Sequence, residues 1–203
     1  MKVMLMNERT SDPLAKYKAL QRQYQQVKIV NLTEDENYAP QLPNEYVLYK
    51  LAGVRRRPAA MLDDLPFDKT YGMRYNATGE LAVHNMGTEI ATIQLLDWRK
   101  QTVRAVKYMA NGRNWQFDLV GDGGEVLKRW LRDEQSRTTM IEMTLATNQK
   151  LRKIYNYDQN NTQPKSLSFL LADEVYSSET ACFEKLFGQI FDATEIEIIN
   201  YVQ

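Results

Sequence analysis

The residues of this chain that could perform acid–base, nucleophilic or metal chemistry are few and scattered. The single histidine, His84, stands in "LAVHNMG" beside a turn, and the single cysteine, Cys182, falls on the apolar stripe of a predicted helix. A lone imidazole needs partners to act, so His84 reads as a strand or turn residue. A thiol in an apolar stripe behaves as a small hydrophobe. One cysteine and one histidine also exclude a disulfide framework, a cysteine-rich zinc site and a histidine metal site, so no metal is expected. The acid pairs Asp63-Asp64 and Asp173-Glu174 sit in loop-like segments and read as turn and cap residues. Glycoside chemistry would need two carboxylates at a set separation in space, which spacing along the chain does not provide. No nucleophile elbow or nucleotide fingerprint is present.

The glycines of "GDGG", Gly121 to Gly124, resemble a phosphate loop only in composition. Such a loop lies between a strand and a helix, so that backbone N–H groups converge on the anion. Here Trp115, Phe117 and Leu119 alternate with Asn114, Gln116 and Asp118, the period of a half-buried strand. The following Glu125 to Arg132 is too short and too charged for a nucleotide-binding helix. The motif is expected to turn one strand into the next.

Basic and aromatic residues offer binding chemistry instead. Arg55-Arg56-Arg57 precedes Pro58, and Arg99, Lys100, Arg104, Lys107, Arg113, Lys128, Arg129 and Arg132 lie among Trp98, Trp115 and Trp130. Aromatics and arginines on an open sheet face can form a platform for an extended polypeptide or a partner protein. Trp115 is expected in the core. Trp130 is expected on the open face with Lys128 and Arg132. The residues assigned to partner or acceptor binding are Arg104, Tyr108, Arg113, Lys128 and Trp130.

Three zones must position them. Val3 to Met6 and Lys28 to Leu32 read as strands around a helix that starts at Ser11-Asp12-Pro13, a cap followed by proline at the first helical position. That strand–helix–strand opening implies a parallel pair. From Pro58 to Ala172 turn signals recur at Asn76–Gly79, Met86-Gly87, Arg99-Lys100, Asn111-Gly112, Gly121–Gly124, Ser136, Asn148 and Asn160-Asn161. This spacing predicts a helix-free run of consecutive antiparallel strands. The sets Tyr71/Met73/Tyr75, Ala91/Ile93/Leu95, Trp115/Phe117/Leu119, Thr139/Ile141/Met143/Leu145, Leu151/Lys153/Tyr155 and Leu167/Phe169/Leu171 are expected to line one covered face. Arg104, Val106, Tyr108, Lys128 and Trp130 would lie on the other. After Ser177 or Ser178 a helix carries Cys182, Phe183, Leu186, Phe187, Ile190 and Phe191. Glu195 to Val202 then reads as a strand buried on both faces that joins the parallel pair. The fold class is therefore α+β: a small α/β, Rossmann-like half unit from residues 1–57 and 173–203, with an antiparallel β-meander, residues 58–172, inserted in it.

Composition bounds the partners. The 203 residues carry 26 basic and 26 acidic side chains. A balanced charge argues against a general nucleic-acid binder. The apolar start Met1 to Met6 is cut off by Asn7, Glu8 and Arg9, and no apolar run approaches the ~20 residues that span a bilayer. A cytoplasmic location is expected, peripheral to the membrane only through a partner.

The segments "RPAAMLDDLP" (57–66), "ATIQLLDWRKQTVRAVKYMANGRNWQFDLVGDGGEVLKRWLRDEQ" (91–135) and "CFEKLFGQIFDATEIEIINYV" (182–202) together resemble one family. It is the stabilising, chaperone-like subunit of the peptide N-acetylglucosaminyltransferase of accessory Sec systems. Arg104, Val106, Lys107, Tyr108, Asn111-Gly112-Arg113 and Gly123 are similar to its strand–hairpin run, and the extended sheet is shared with adhesin and teichoic-acid glycosyltransferases. The resemblance implies a non-catalytic module, without cofactor, that binds a glycosyltransferase catalytic subunit, a Ser/Thr-rich acceptor polypeptide, or both. Family members continue into a second nucleotide-binding-type domain. This sequence stops after one strand, so catalysis is not carried over, and an excised N-terminal portion and a standalone relative both remain open. The alternatives are a small glycosyltransferase-like enzyme and a nucleic-acid-binding β module.

Overall fold

The computed structural model describes residues 1–6, 12–32, 41–42, 44–46, 51, 60–121, 123–146, 149–159, 161–172, 174–192 and 196–199. The chain divides into two compact units, Met1–Leu51 with Tyr176–Gln203, and Ala52–Val175. The described residues are mostly β, with two α-helices.

The first unit is a four-stranded parallel sheet built from both ends of the chain. Strands β1 (Lys2–Met6), β2 (Lys28–Asn31), β3 (Asn44–Tyr46) and β15 (Glu197–Ile198) lie in the order β15-β1-β2-β3. Helix α1 (Pro13–Gln23) crosses from β1 to β2. Asp12 caps it, its Oδ1 accepting from the Ala15 N–H at 3.1 Å, and Pro13 fills the first turn, where a missing N–H costs nothing. Leu14, Tyr17, Leu20 and Tyr24 recur on one helix face and pack with Met4, Met6 and Ile29. Helix α2 (Glu179–Ile190) is capped by Ser178, whose Oγ accepts from Ala181 N at 3.1 Å. Phe183, Phe187 and Phe191 follow at four-residue steps, with ring centroids 5.4 and 5.8 Å apart. β15 is shorter than the sequence pattern predicts and sits at a sheet edge. Ile198 is buried, but Glu197 faces solvent and pairs with Lys2, so the strand is not covered on both faces. β3, which carries no strong alternation, is an addition to the predicted set.

The second unit is the meander. β4 (Ala60–Met61) leads into one 3₁₀ turn (Leu62–Asp64), where Asp64 Oδ2 accepts from Met61 N at 2.9 Å. Then come β5 (Gly72–Tyr75), β6 (Leu81–Asn85), β7 (Thr88–Asp97), β8 (Thr102–Ala110), β9 (Arg113–Val120), β10 (Val126–Arg132), β11 (Thr138–Thr144), β12 (Lys150–Asn156), β13 (Ser166–Leu171) and β14 (Glu174–Tyr176). They pair in sequence order, from β14 at one edge to β5 at the other, with β4 added alongside β8. The turns fall at the predicted signals. Met86-Gly87 and Asn111-Gly112 have both φ angles positive, the geometry that lets a two-residue hairpin follow the strand twist. The predicted turn residues Asn148 and Asn160 lie outside the described residues.

"GDGG" is such a strand–strand turn. Gly121 N donates to Glu125 O at 2.7 Å and Gly124 N to Gly121 O at 3.2 Å. Gly124 has φ +82°, and a Cβ there would lie 2.9 Å from the Asp64 carbonyl oxygen. The glycine serves a left-handed backbone and a close approach together.

The sheet does not keep one covered face along its length. Through β6, β7 and β8, Leu81, Val83, Ala91, Ile93 and Val106 share a face and form a core with Ala60, Leu65 and Val103; Phe67 and Tyr71 are partly buried against it. From β9 onward polar residues enter that face, Gln116 and Asp118 standing in register with Tyr108 and Val106, while Val120 stays in the same core. The opposite face becomes the apolar one, where Phe117, Leu119, Trp130, Met143, Leu151, Phe169 and Leu171 are buried. The expected single covered face is thus corrected. Ala91 and Ile93 lie on the face of Val106 and Tyr108, and Phe117 lies opposite Trp130 in register. Met73 and Tyr75, also expected in the covered set, are exposed on the edge strand β5.

Candidate binding surface

A polar ladder runs across the open face of β9 to β12. Asp118, Arg129, Glu142 and Arg152 are successive cross-strand neighbours, alternating in sign. Asp118 is fully buried and accepts three bonds of 2.8 Å: Arg129 Nε to Oδ1, Arg129 Nη2 to Oδ2, and Gln116 Nε2 to Oδ2. This fork-to-carboxylate pairing is the strong, directional form of ion pair. The bond to Asp118 raises the Arg129 pKa against the opposing effect of burial. Burial alone would raise the Glu142 carboxyl, but hydrogen bonds from Arg152 (2.8 Å) and Lys150 (3.1 Å) win and lower it. Both ladder acids are therefore engaged by neighbouring cations. They make a charged face whose partly exposed guanidiniums, Arg129 and Arg152, can meet a ligand.

Aromatic side chains border this ladder. Tyr108 stands between Phe67 and Trp115, at centroid distances of 6.1 and 6.2 Å. Burial raises the Tyr108 hydroxyl pKa, and the nearby Asp118 charge adds to it. Trp115 is 42% exposed, not in the core as its alternation with Phe117 and Leu119 implies. The reason is a β-bulge. Tyr108 pairs with Gln116 and Met109 with Asn114, so Trp115 is the extra residue and leaves the strand's alternation. Beside it, Asn114 Oδ1 is the one buried side-chain oxygen or nitrogen without a hydrogen-bond partner among the described residues.

The five predicted binding residues do not form one patch. Tyr108 lies on the ladder face. Arg104 is half-buried at a second bulge, where Gln94 pairs with Ala105 and Leu95 with Val103. Arg113 is exposed and donates from Nη1 to the Glu134 carbonyl. Lys128 and Trp130 are corrected: they are 1% and 8% exposed, on the face opposite Tyr108. Trp130 opposes Phe117 in register, with their rings 5.1 Å apart, and Lys128 Nζ lies 4.5 Å from the Trp130 centroid. Aromatic pairing and burial outweigh the basic neighbours that suggest an open face. Sequence reasoning misses Gln116, Asp118, Glu142 and Arg152, because their polar and alternating charges align only once strand register is known. Arg55, Arg56 and Arg57 lie outside the described residues.

The other chemically capable residues stay apart. His84 Nε2 is 3.3 Å from Arg74 Nη2 on neighbouring strands. Cys182 is buried, and burial with the charge of Glu179 pushes its thiol up to about 11. No group of three or more His, Cys, Asp or Glu residues that could hold a metal occurs among the described residues. No helix among them is long and apolar enough to cross a membrane.

Solved structures share this arrangement of a long antiparallel meander inserted between the ends of a small parallel α/β unit. A chain of accessory secretory proteins 1, 2 and 3 of Streptococcus pneumoniae superposes with a TM-score of 0.52 at 11% identity, covering 95% of this chain and 44% of that one. A chain of the glycosylation-associated Gap123 complex of Streptococcus agalactiae gives 0.52 at 11%, covering 96% and 45%. TarM gives 0.51 at 9%, covering 93% and 43%. This chain spans less than half the length of those proteins. No protein-family model and no curated protein matches the sequence.

Proposed function

We propose that this chain is a non-catalytic module of a protein O-glycosylation complex, which holds a glycosyltransferase catalytic subunit, a Ser/Thr-rich acceptor polypeptide, or both. The carrying observation is a fold shared over nearly the whole chain with a chain of the glycosylation-associated Gap123 complex. In this reading the parallel unit is a Rossmann-like half, retained as a scaffold, and the meander is the working surface. Its ladder face supports the reading. Trp115 and Tyr108 offer flat contact area, while Arg129 and Arg152 offer donors to hydroxyls and carbonyls of an extended chain. Holding needs no reacting group. A partner that binds only the folded transferase would also stabilise it by mass action. The setting is the cytoplasm, with membrane contact only through the partner.

The test is affinity capture with this chain as bait, followed by identification of the captured proteins and assay of the eluate. A large glycosyltransferase and transfer of N-acetylglucosamine to a Ser/Thr-rich acceptor are expected in the eluate. Turnover of UDP-N-acetylglucosamine by the purified chain alone would overturn the reading in favour of an enzyme. Steeply salt-dependent retention on single-stranded nucleic acid would favour a nucleic-acid module.

A further inference from the structure

Strand β5 ends the sheet order, and among the described residues nothing pairs with its outer side. Natural sheets shield end strands with proline, bulges or a covering segment, because a row of unpaired N–H and C=O groups templates another strand. β5 pairs through all four residues with β6, without a bulge, and no strand lies on its other side among the described residues. Gly72, Met73, Arg74 and Tyr75 are all exposed.

Its two faces differ in chemistry. Met73 and Tyr75 stand in register with Val83 and Leu81 and carry the apolar face of the β6–β8 core out to the solvent. Arg74 points to the other face, which it shares with Gly72 and His84. There a shallow cleft is lined by Gly72, Met73, Arg74, His84 and Gly87. The space beside Gly87 is open: a Cβ there would meet nothing within 4 Å. Arg74 makes its side-chain hydrogen bond to His84, and no carboxylate pairs with it among the described residues. The nearest acid in register, Glu89 across from His84, accepts from Thr92 Oγ1 at 3.0 Å.

We propose that β5 is a docking edge for an extended, acidic polypeptide segment, which adds a strand to the sheet. Successive side chains of such a strand fall on opposite faces. One set, apolar or β-branched, covers Met73 and Tyr75; the other places a carboxylate in the Arg74–His84 cleft. This rests on the reading of the meander as a holder of extended chain and gives the held chain its chemistry.

The test uses the whole chain and two capped, dye-labelled octapeptides, one alternating threonine with glutamate and one threonine with lysine. Fluorescence anisotropy reads affinity, and hydrogen exchange reads the β5 amides. The glutamate peptide is expected to bind saturably and slow exchange at Gly72–Tyr75, with the lysine peptide roughly tenfold weaker or more. Arg74→Glu reverses that preference, whereas Lys18→Glu, the same charge change on the exposed face of α1, preserves it. Circular dichroism confirms that both variants are folded. Equal affinity for the two peptides, equal effects of the two variants, or protection away from β5 would overturn the inference. Failed peptide binding with transferase capture intact strikes the docking edge alone. Failed capture with β5 binding intact strikes the proposed complex alone.

Discussion

Replacing Arg129 by methionine isolates what holds the polar ladder. The substitution keeps the aliphatic stem and removes two charge-assisted hydrogen bonds of 2.8 Å from a carboxylate whose side chain is 1% exposed. Asp118 then keeps the Gln116 amide as a donor. Breaking a buried ion pair from one side costs about 3–5 kcal/mol, because the surviving charge stays desolvated. Arg129 itself is about a third exposed, and water can partly replace it, so the lower end, ~3 kcal/mol, applies. The double variant Arg129→Met/Asp118→Leu removes the stranded charge and should regain most of that loss, to within ~1 kcal/mol of the parent. Urea unfolding monitored by tryptophan fluorescence measures both. A single variant within ~0.5 kcal/mol of the parent, or a double variant no more stable than the single, would refute the ladder as a desolvated pair held by mutual compensation.

Trp130→Ala should cost about 3–5 kcal/mol in the same assay, as a core aromatic does, whereas half-exposed Trp115→Ala should cost less than ~1 kcal/mol while weakening ligand binding. Gly124→Ala should destabilise by at least ~1 kcal/mol more than Gly79→Ala. Both glycines have φ near +80°, but only at Gly124 does the new methyl meet a backbone oxygen, while at Gly79 it meets nothing within 4 Å. Acid titration of stability should show a loss as pH falls below 4.5. Glu80 and Glu142 have folded pKa values lowered from that figure, so the unfolded chain takes up protons first and their contribution is fully present only above it. Cys182, with its thiol pushed up to about 11, should resist a thiol-specific disulfide reagent at pH 8 until the chain is unfolded.

Local chemistry carried most of the fold into the sequence. Asp12-Pro13 and Ser178 mark helix starts because side-chain oxygens satisfy free N–H groups there. Met86-Gly87, Asn111-Gly112 and Gly124 mark turns because they occupy positive φ. Faces were less legible. A bulge moves Trp115 off its strand's alternation without changing the residues on either side of it. The exchange of covered face between β8 and β9 also escapes a strand-by-strand reading, since each strand alternates properly by itself. Of the binding residues, Tyr108 was grouped with Lys128 and Trp130, and only the strand register shows that it borders Gln116 and Asp118 on the opposite face. Lys128 and Trp130 were misplaced because a lysine stem can run along an aromatic ring inside a buried face.

A single titration bears most directly on the claim that the meander is a holding surface. An unstructured, dye-labelled Ser/Thr-rich polypeptide is added to the purified chain and to its Trp115→Ala and Trp98→Ala variants, and anisotropy is followed to saturation. Both tryptophans are exposed, but only Trp115 packs against Tyr108 beside the ladder. The account predicts saturable binding that Trp115→Ala weakens and Trp98→Ala leaves intact. Absence of binding, or equal losses in the two variants, would contradict it.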